Sequence, residues 1–209
     1  MKYKTLTNPE DKIIEAANKV FLKYGVEAAT MMQIADEAGI SRTSLHYYYR
    51  SKAHLFETVF EMIECKMVPK LSDILEARVS VIEKIQLFVN EYIDLITEYP
   101  GIPGFMSAEI QRNPEWIIRL YKCKELDFDG LKADIRKESE AGRLRPVKTE
   151  DLFANIMGMC VFPILTKPVF KELAFDGKED QFVEYMSSRK REVMVVIKAW
   201  LTPETISIN

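Results

Sequence analysis

Thr30-Met31-Met32-Gln33-Ile34-Ala35-Asp36-Glu37-Ala38-Gly39-Ile40-Ser41-Arg42-Thr43-Ser44-Leu45-His46-Tyr47-Tyr48-Tyr49-Arg50-Ser51-Lys52 reads as a helix, a tight turn and a second helix. Thr30 and Gln33 have the T-x-x-Q spacing of a capping box, which marks a helix start. Ile34, Ala35 and Ala38 give that helix one small apolar face. Gly39 stands where a helix end needs a residue tolerant of positive φ. Ile40 is an apolar plug for the turn, and Ser41 is placed to cap the second helix. Leu45 and Tyr48 or Tyr49 are spaced to pack the second helix back onto the first. Small Ala35, Gly39 and then Leu45 allow two short helices to cross closely.

The outward face of the second helix then carries Arg42, Thr43, Ser44, His46 and Tyr47. These are hydrogen-bonding groups with few acids nearby to repel phosphate. Arg can pair bidentately with guanine, Thr can touch a thymine methyl or a phosphate, and tyrosine hydroxyls suit phosphate oxygens. Tyr48 joins this set. Lys52 opens a fourth helix, where backbone N–H groups and the helix dipole favour a phosphate. Thr30 and Met31, at the start of the first motif helix, complete the expected DNA-facing set, with the Thr30 hydroxyl as both cap and phosphate ligand. Taken alone, such a face is equally well a solvated helix surface. The preceding turn and the adjoining Lys52 move the weight to DNA.

The run Gly39 to Lys52 resembles the DNA-binding signature of the tetracycline-repressor (TetR) family of bacterial regulators, roughly Gly-Val-Ser-x-x-Thr-Leu-Tyr-x-His-Phe-x-x-Lys. The similarity spans residues 10 to 60, and beyond it only a helical pattern of the right length persists. His46 stands for the usual Tyr, Tyr48 for a frequent His and Tyr49 for a frequent Phe. These departures bear on which bases are read more than on whether DNA is bound.

The bulk composition is that of an ordinary soluble protein: 47% hydrophobic and 29% charged over 209 residues, enough to bury a sizeable core. No apolar run is long enough for a membrane span, and the N-terminus lacks the apolar segment of a signal peptide, so no membrane partner is expected. Cys65, Cys123 and Cys160 are odd in number and unclustered, which suits a reducing cytoplasm. No metal site and no cofactor are expected; His46 and His54 are the only histidines, with no ligand set around them. The net charge of −3 is unevenly spread: eight basic and six acidic residues lie within 1–52. The asymmetry is mild and fits a DNA-facing head on an acidic body.

The pattern predicts an all-α chain with a helix-turn-helix DNA-binding domain at 1–52, and the resemblance implies an effector-binding and dimerisation domain at 53–209. Ile13, Ile14, Ala17, Val20, Phe21 and Tyr24 form the stripe of a first helix closed by Gly25. The fourth helix, from Lys52, is expected to kink or end at Pro69. The fifth, Val81 to Tyr99, is apolar on more than one face and is expected to sit centrally. Pro100 to Gly104 breaks it, and a short helix follows at about 105–111. Asn113-Pro114 starts a helix expected to run to about Glu140, with Gly142 as its stop. Thr149 is expected to cap a helix over Asp151 to Phe170, bent at Pro163, and the last helix runs from Asp180 to Leu201.

Phe88, Tyr92, Phe105, Met106, Trp116, Tyr121, Phe128, Met157 and Met159 lie on middle helices expected to converge. Each reads as plain core; as a set they are large, adaptable side chains suited to an apolar cavity. The resemblance implies a small-molecule effector pocket there. It also implies a homodimer built from the last two long helices, repression, and release from DNA by the effector. Phe153, Ile156, Cys160, Tyr185, Val193, Val196 and Trp200 are the expected interface residues. Two heads would then read a palindromic double-stranded operator, with the fourth helix as the lever between them and the body.

The rival readings are a helical small-molecule-binding protein or enzyme without DNA binding, and a helical scaffold. Against an enzyme, the sequence shows no paired carboxylates beside a histidine, no nucleophile elbow, no glycine-rich phosphate loop and no metal set.

Overall fold

The structure is a computed structural model that describes residues 9–26, 28–112, 114–115, 118 and 126–203, with the backbone alone at 22, 64 and 66. It is all-α, and among the described residues there is no strand. The helices are α1 (Pro9–Tyr24), α2 (Met31–Ala38), α3 (Arg42–Tyr48), α4 (Lys52–Glu76), α5 (Val81–Glu98), α6 (Gly101–Arg112), α7 (Phe128–Glu140), α8 (Thr149–Leu165), α9 (Lys167–Phe175) and α10 (Glu179–Leu201). The chain folds as two compact units: Met1–Met67 with Tyr99–Met106, and Val68–Glu98 with Ser107–Asn209.

In the first unit, Ile13, Ala17, Val20 and Phe21 of α1 are buried as the stripe requires. Ile14 is only half-buried, and Tyr24 is exposed beneath the Lys23 ammonium. Leu55, Phe56, Val59, Phe60 and Ile63 of α4 are buried too, with Phe56 edge-on to Phe21 at 5.2 Å. This apolar face carries the unit past the 52/53 boundary expected from the signature. Segment 99–106 joins it through Phe105, whose ring centroid lies 4.0 Å from that of Phe56.

The second unit is built around α5. Val81, Ile85, Val89, Ile93 and Ile96 are buried with Leu152, Ile156, Cys160 and Ile164 of α8 and Phe182, Met186, Val193, Met194, Ile197 and Leu201 of α10. Ser80 and Glu83 form an S-x-x-E capping box at the start of α5, with Ser80 N–H donating to Glu83 Oε2 at 2.9 Å. Lys84 is 5% exposed. Its ammonium donates to Leu75 O at 2.5 Å and to Asp134 Oδ2 at 2.8 Å, so the charge is paired and hydrogen-bonded as burial demands. Glu138 of α7 accepts from Val81 N–H at 2.9 Å. Together these fasten the α4–α5 turn to α7.

Prolines and caps, not hydrophobic periodicity, set the departures from expectation. Pro69 lies inside α4, which continues to Glu76. The break at Pro100 is short, because Pro103 falls in the first turn of α6, where its missing N–H has no helical partner to lose. The helix expected from 114 to 140 is interrupted: Leu126 and Asp127 are not helical, and Asp127 Oδ1 accepts from Gly130 N–H at 2.8 Å to start α7 anew. Thr149 is the first residue of α8 rather than its cap, and Lys148 occupies the cap position without a side-chain bond.

Pro163 is buried within α8, and the expected single helix to Phe170 is instead two, α8 and α9, meeting at 76° around Thr166. Pro163 has no N–H for the Met159 carbonyl four residues back. Arg189 of α10 takes that place, its Nη2 donating to Met159 O at 3.2 Å. Pro168 opens α9, where a proline is tolerated. No single helix among the described residues is long and apolar enough to cross a membrane.

Candidate nucleic-acid interface

The turn between α2 and α3 forms as its residues dictate. Thr30 Oγ1 accepts from Gln33 N–H at 3.2 Å, and Thr30 N–H donates to Gln33 Oε1 at 2.9 Å, closing the capping box. Gly39 ends α2 at φ +67°, a conformation that strains any side chain with a Cβ. Ile40 N–H donates to Ala35 O and Gly39 N–H to Asp36 O. Ser41 Oγ then accepts from Ser44 N–H at 3.0 Å and starts α3. Ile34, Ala35 and Leu45 are buried together with Tyr49. Burial pushes the Tyr49 hydroxyl above the ordinary phenol value, so it stays protonated.

This leaves the opposite face of α3 outward. Arg42, Thr43 and Ser44 are exposed, Tyr47 is 84% exposed, and His46 and Tyr48 are half-buried. No acidic residue lies in the first turn of α3. Tyr47 and Tyr48 meet edge-to-face at 5.4 Å, which orients both rings. The nearby Glu37 on α2 is countered by Lys19, 3.7 Å away.

Lys52 begins α4 and is half-buried. Ser51 caps this helix, its Oγ accepting from His54 N–H at 3.1 Å, a cap that the sequence reading passed over although Ser-Lys-Ala-His carries it. Met31 is half-buried at the start of α2, and Met32 beside it is 53% exposed, a surface residue missing from the expected set. Thr30 is exposed, but its hydroxyl hydrogen goes to Gln33 Oε1 at 3.0 Å. A phosphate contact from Thr30 therefore requires that hydrogen to turn away. Ser44 Oγ likewise shares a hydrogen with Ser41 Oγ at 2.8 Å.

Residues 13–59 match the profile of bacterial regulatory proteins, tetR family. The match covers the helix-turn-helix part of the chain, where the resemblance to that family lies. The chain is 26% identical over 158 residues to the nucleoid occlusion factor SlmA of Vibrio vulnificus (strain YJ016), covering 73% of this chain and 80% of that protein. Two solved structures share the fold. A TetR-family transcriptional regulator from Marinobacter aquaeolei VT8 superposes with a TM-score of 0.65 at 20% identity, covering 97% of this chain and 93% of that one. The transcriptional regulator FadR of Bacillus subtilis, solved in complex with stearoyl-CoA, superposes with a TM-score of 0.59 at 17% identity, covering 88% and 97%.

The described residues among those expected to form an effector pocket fall on both units. Phe88 and Tyr92 stack on α5 with centroids 5.5 Å apart and rings within 13° of parallel, half-buried against the core of the second unit. Met159 also packs against that core, Met157 is half-buried and Phe128 is exposed at the start of α7. Phe105 and Met106 belong to the first unit, where the half-buried Phe105 ring lies 4.0 Å from that of Phe56 and 6.1 Å from that of Phe60. Trp116 and Tyr121 lie outside the described residues.

The expected interface residues divide as well. Ile156, Cys160 and Val193 are at most 5% exposed and belong to the chain's own core, so their stripes point inward. Burial raises the Cys160 thiol to about 12, which keeps it protonated and unreactive. Tyr185 and Trp200 are half-buried, while Phe153 at 58% and Val196 at 52% are exposed. Phe162, Val169 and Leu173, which the sequence reading did not single out, are more exposed still. Among the described residues no group of His, Cys, Asp and Glu could hold a metal ion.

Lys52→Ala is expected to weaken binding to all DNA sequences about equally and to lower the slope of log affinity against log salt by roughly one charge. Titrations at several salt concentrations check this. An unchanged slope removes Lys52 from the phosphate contacts.

Proposed function

We propose that this chain is a ligand-responsive transcriptional repressor, acting in the cytoplasm, that binds a palindromic operator as a homodimer and is released by a small apolar effector. The observation that carries the reading is the α3 face: Arg42, Thr43, Ser44 and Tyr47 exposed on a helix held at both ends by caps and free of acids in its first turn. Arg42 and Thr43, at the N-terminal turn, are the base readers. Tyr47, Tyr48, His46 and Lys52 serve the phosphates and fix the register.

A lone three-helix head offers a small contact area. Two copies reading two half-sites solve this, and operator symmetry mirrors theirs. Exposed apolar side chains on α8 and α10, Phe153 and Val196 among them, support a partner surface of the right chemistry. The apolar effector is supported by the stacked Phe88–Tyr92 pair of α5 and by the acyl-CoA ligand of the structurally similar FadR. The effector must bind one body conformation better than another, and that difference moves the spacing of the two heads. Typical couplings of this kind are ~1–3 kcal/mol, or about 5–150-fold in DNA affinity.

The test is binding of the full chain to its own promoter region, with a panel of acyl-CoA and other apolar compounds added afterwards. Tight, sequence-dependent and salt-sensitive binding, reversed by one compound class, is expected. In a Trp200→Phe variant the remaining Trp116 reports effector binding by its fluorescence. Binding no tighter than to unrelated DNA refutes the operator reading. No response to any compound in either signal leaves a constitutive DNA binder.

Arg42→Ala and Thr43→Ala are each expected to change base preference at defined operator positions, costing about 1–3 kcal/mol of discrimination. Selection of preferred sites from a random DNA pool compares variant with parent. Identical preferred sites remove the pair as base readers.

A further inference from the structure

The proline break after α8 leaves α9 as a short helix with two unlike faces. One face is spent on the chain itself. Phe170 and Phe175 pack with Tyr185 of α10, with centroids 5.3 and 5.5 Å away, and Phe175 also meets Phe182. Lys167 and Lys171 donate to Glu179 at 2.5 and 3.1 Å, which holds the Glu179 carboxyl below its usual range. The other face is bare. Val169 is 63% and Leu173 82% exposed, four residues apart and so one above the other, with Glu172 exposed beside them.

At the root of α9 is an open groove of about 290 Å³ between α8 and α10, lined by Met159, Phe162, Pro163, Phe170, Tyr185 and Arg189. Its walls are apolar and aromatic, and its one charge is the Arg189 guanidinium. Arg189 Nε is buried, and it is a donor with no acceptor among the described residues. A buried donor left unpaired is costly, so the groove is poised for an apolar side chain that brings an acceptor with it. The bare face of α9 has that combination: two branched aliphatic side chains flanking a carboxylate.

The knob and the groove lie on adjacent elements, since Phe170 of the same helix lines the groove. Two copies related by a twofold axis near the α8–α9 break can therefore exchange them reciprocally, which closes the contact instead of propagating it into a filament. We propose that α9 is a dimer arm: Val169 and Leu173 of one copy seat in the groove between α8 and α10 of a second copy, and Glu172 approaches its guanidinium. This deepens the homodimer reading above and rests on it. It gives the chain a partner-specific lock in addition to any packing along α8 and α10 themselves.

The test places the photo-crosslinking residue p-benzoylphenylalanine at Leu173 in the full chain, mixes nitrogen-15-labelled and unlabelled protein, irradiates, and maps the products by mass spectrometry beside sedimentation of the same sample. Mixed-isotope links from 173 to residues 158–163 or 185–189 are expected. A dimer by sedimentation whose links fall elsewhere, or only within one chain, overturns the arm and leaves the homodimer reading standing. A monomer at micromolar concentration overturns both. Leu173→Glu is expected to raise the dimer Kd tenfold or more, by roughly the weight of one interface anchor, with an unchanged helical spectrum because the side chain is solvent-exposed. Leu173→Met is expected to dimerise as the parent does. An unchanged Kd for Leu173→Glu overturns the proposal.

Discussion

Leu45→Ala is expected to destabilise the DNA-binding head by about 2–5 kcal/mol and to abolish operator binding at ordinary temperatures. Leu45 is fully buried on α3, and Ile34 and Ala35 are buried on α2, the helix in contact with it. Removing three heavy atoms there leaves a cavity that two short helices refill poorly. Small domains are stable by only about 5–15 kcal/mol in total, so the loss is a large share. Arg42 and Thr43 remain in the chain, but the helix that presents them loses its anchor. Thermal unfolding followed by circular dichroism, with DNA titration below the transition, measures both effects. Leu45→Met keeps the volume and is expected to cost under about 1.5 kcal/mol. Parental stability and parental DNA affinity in Leu45→Ala together contradict this account of how α3 is held.

The double variant Phe153→Glu with Val196→Glu is expected to yield soluble monomers that have lost operator affinity by about 10²–10⁴-fold, the usual gain from linking two half-site contacts. Both side chains are exposed, so the charges enter water in the isolated chain and are buried only by a partner. The same change at Ile156 or Val193 is a poor test, because those residues are internal and a buried charge unfolds the body. Sedimentation and DNA titration on one preparation check the prediction. A variant that remains dimeric at micromolar concentration places the partner surface elsewhere.

The DNA-binding half of the fold was legible because its signals are local. A capping box, a glycine at positive φ and a capping serine each act within a few residues of themselves. Thr30, Gln33, Gly39 and Ser41 do in the structure what their spacing predicts. The body was legible as a set of helices but not in their limits. Pro163 was read as a bend, whereas the chain breaks at Thr166, and the Met159 carbonyl that proline orphans is satisfied by Arg189 from a different helix. Asp127 was passed over as a cap because its neighbours suggested a continuing helix.

Sequence alone determined that the chain is helical, that residues 30 to 52 form a helix-turn-helix, and which side chains of α3 face outward. These follow from periodicity and capping, which depend on neighbours in the chain. Tertiary structure decided which apolar residues are core and which are surface. Ile156 and Val196 have the same chemistry and similar places in their stripes, yet one is sealed against α5 and the other faces solvent. It also set the Phe105 ring against that of Phe56, a contact between residues far apart in the chain. A helix with apolar residues on more than one side does not state which side meets its own chain. That choice is made by the neighbours it packs against, and those are distant in sequence.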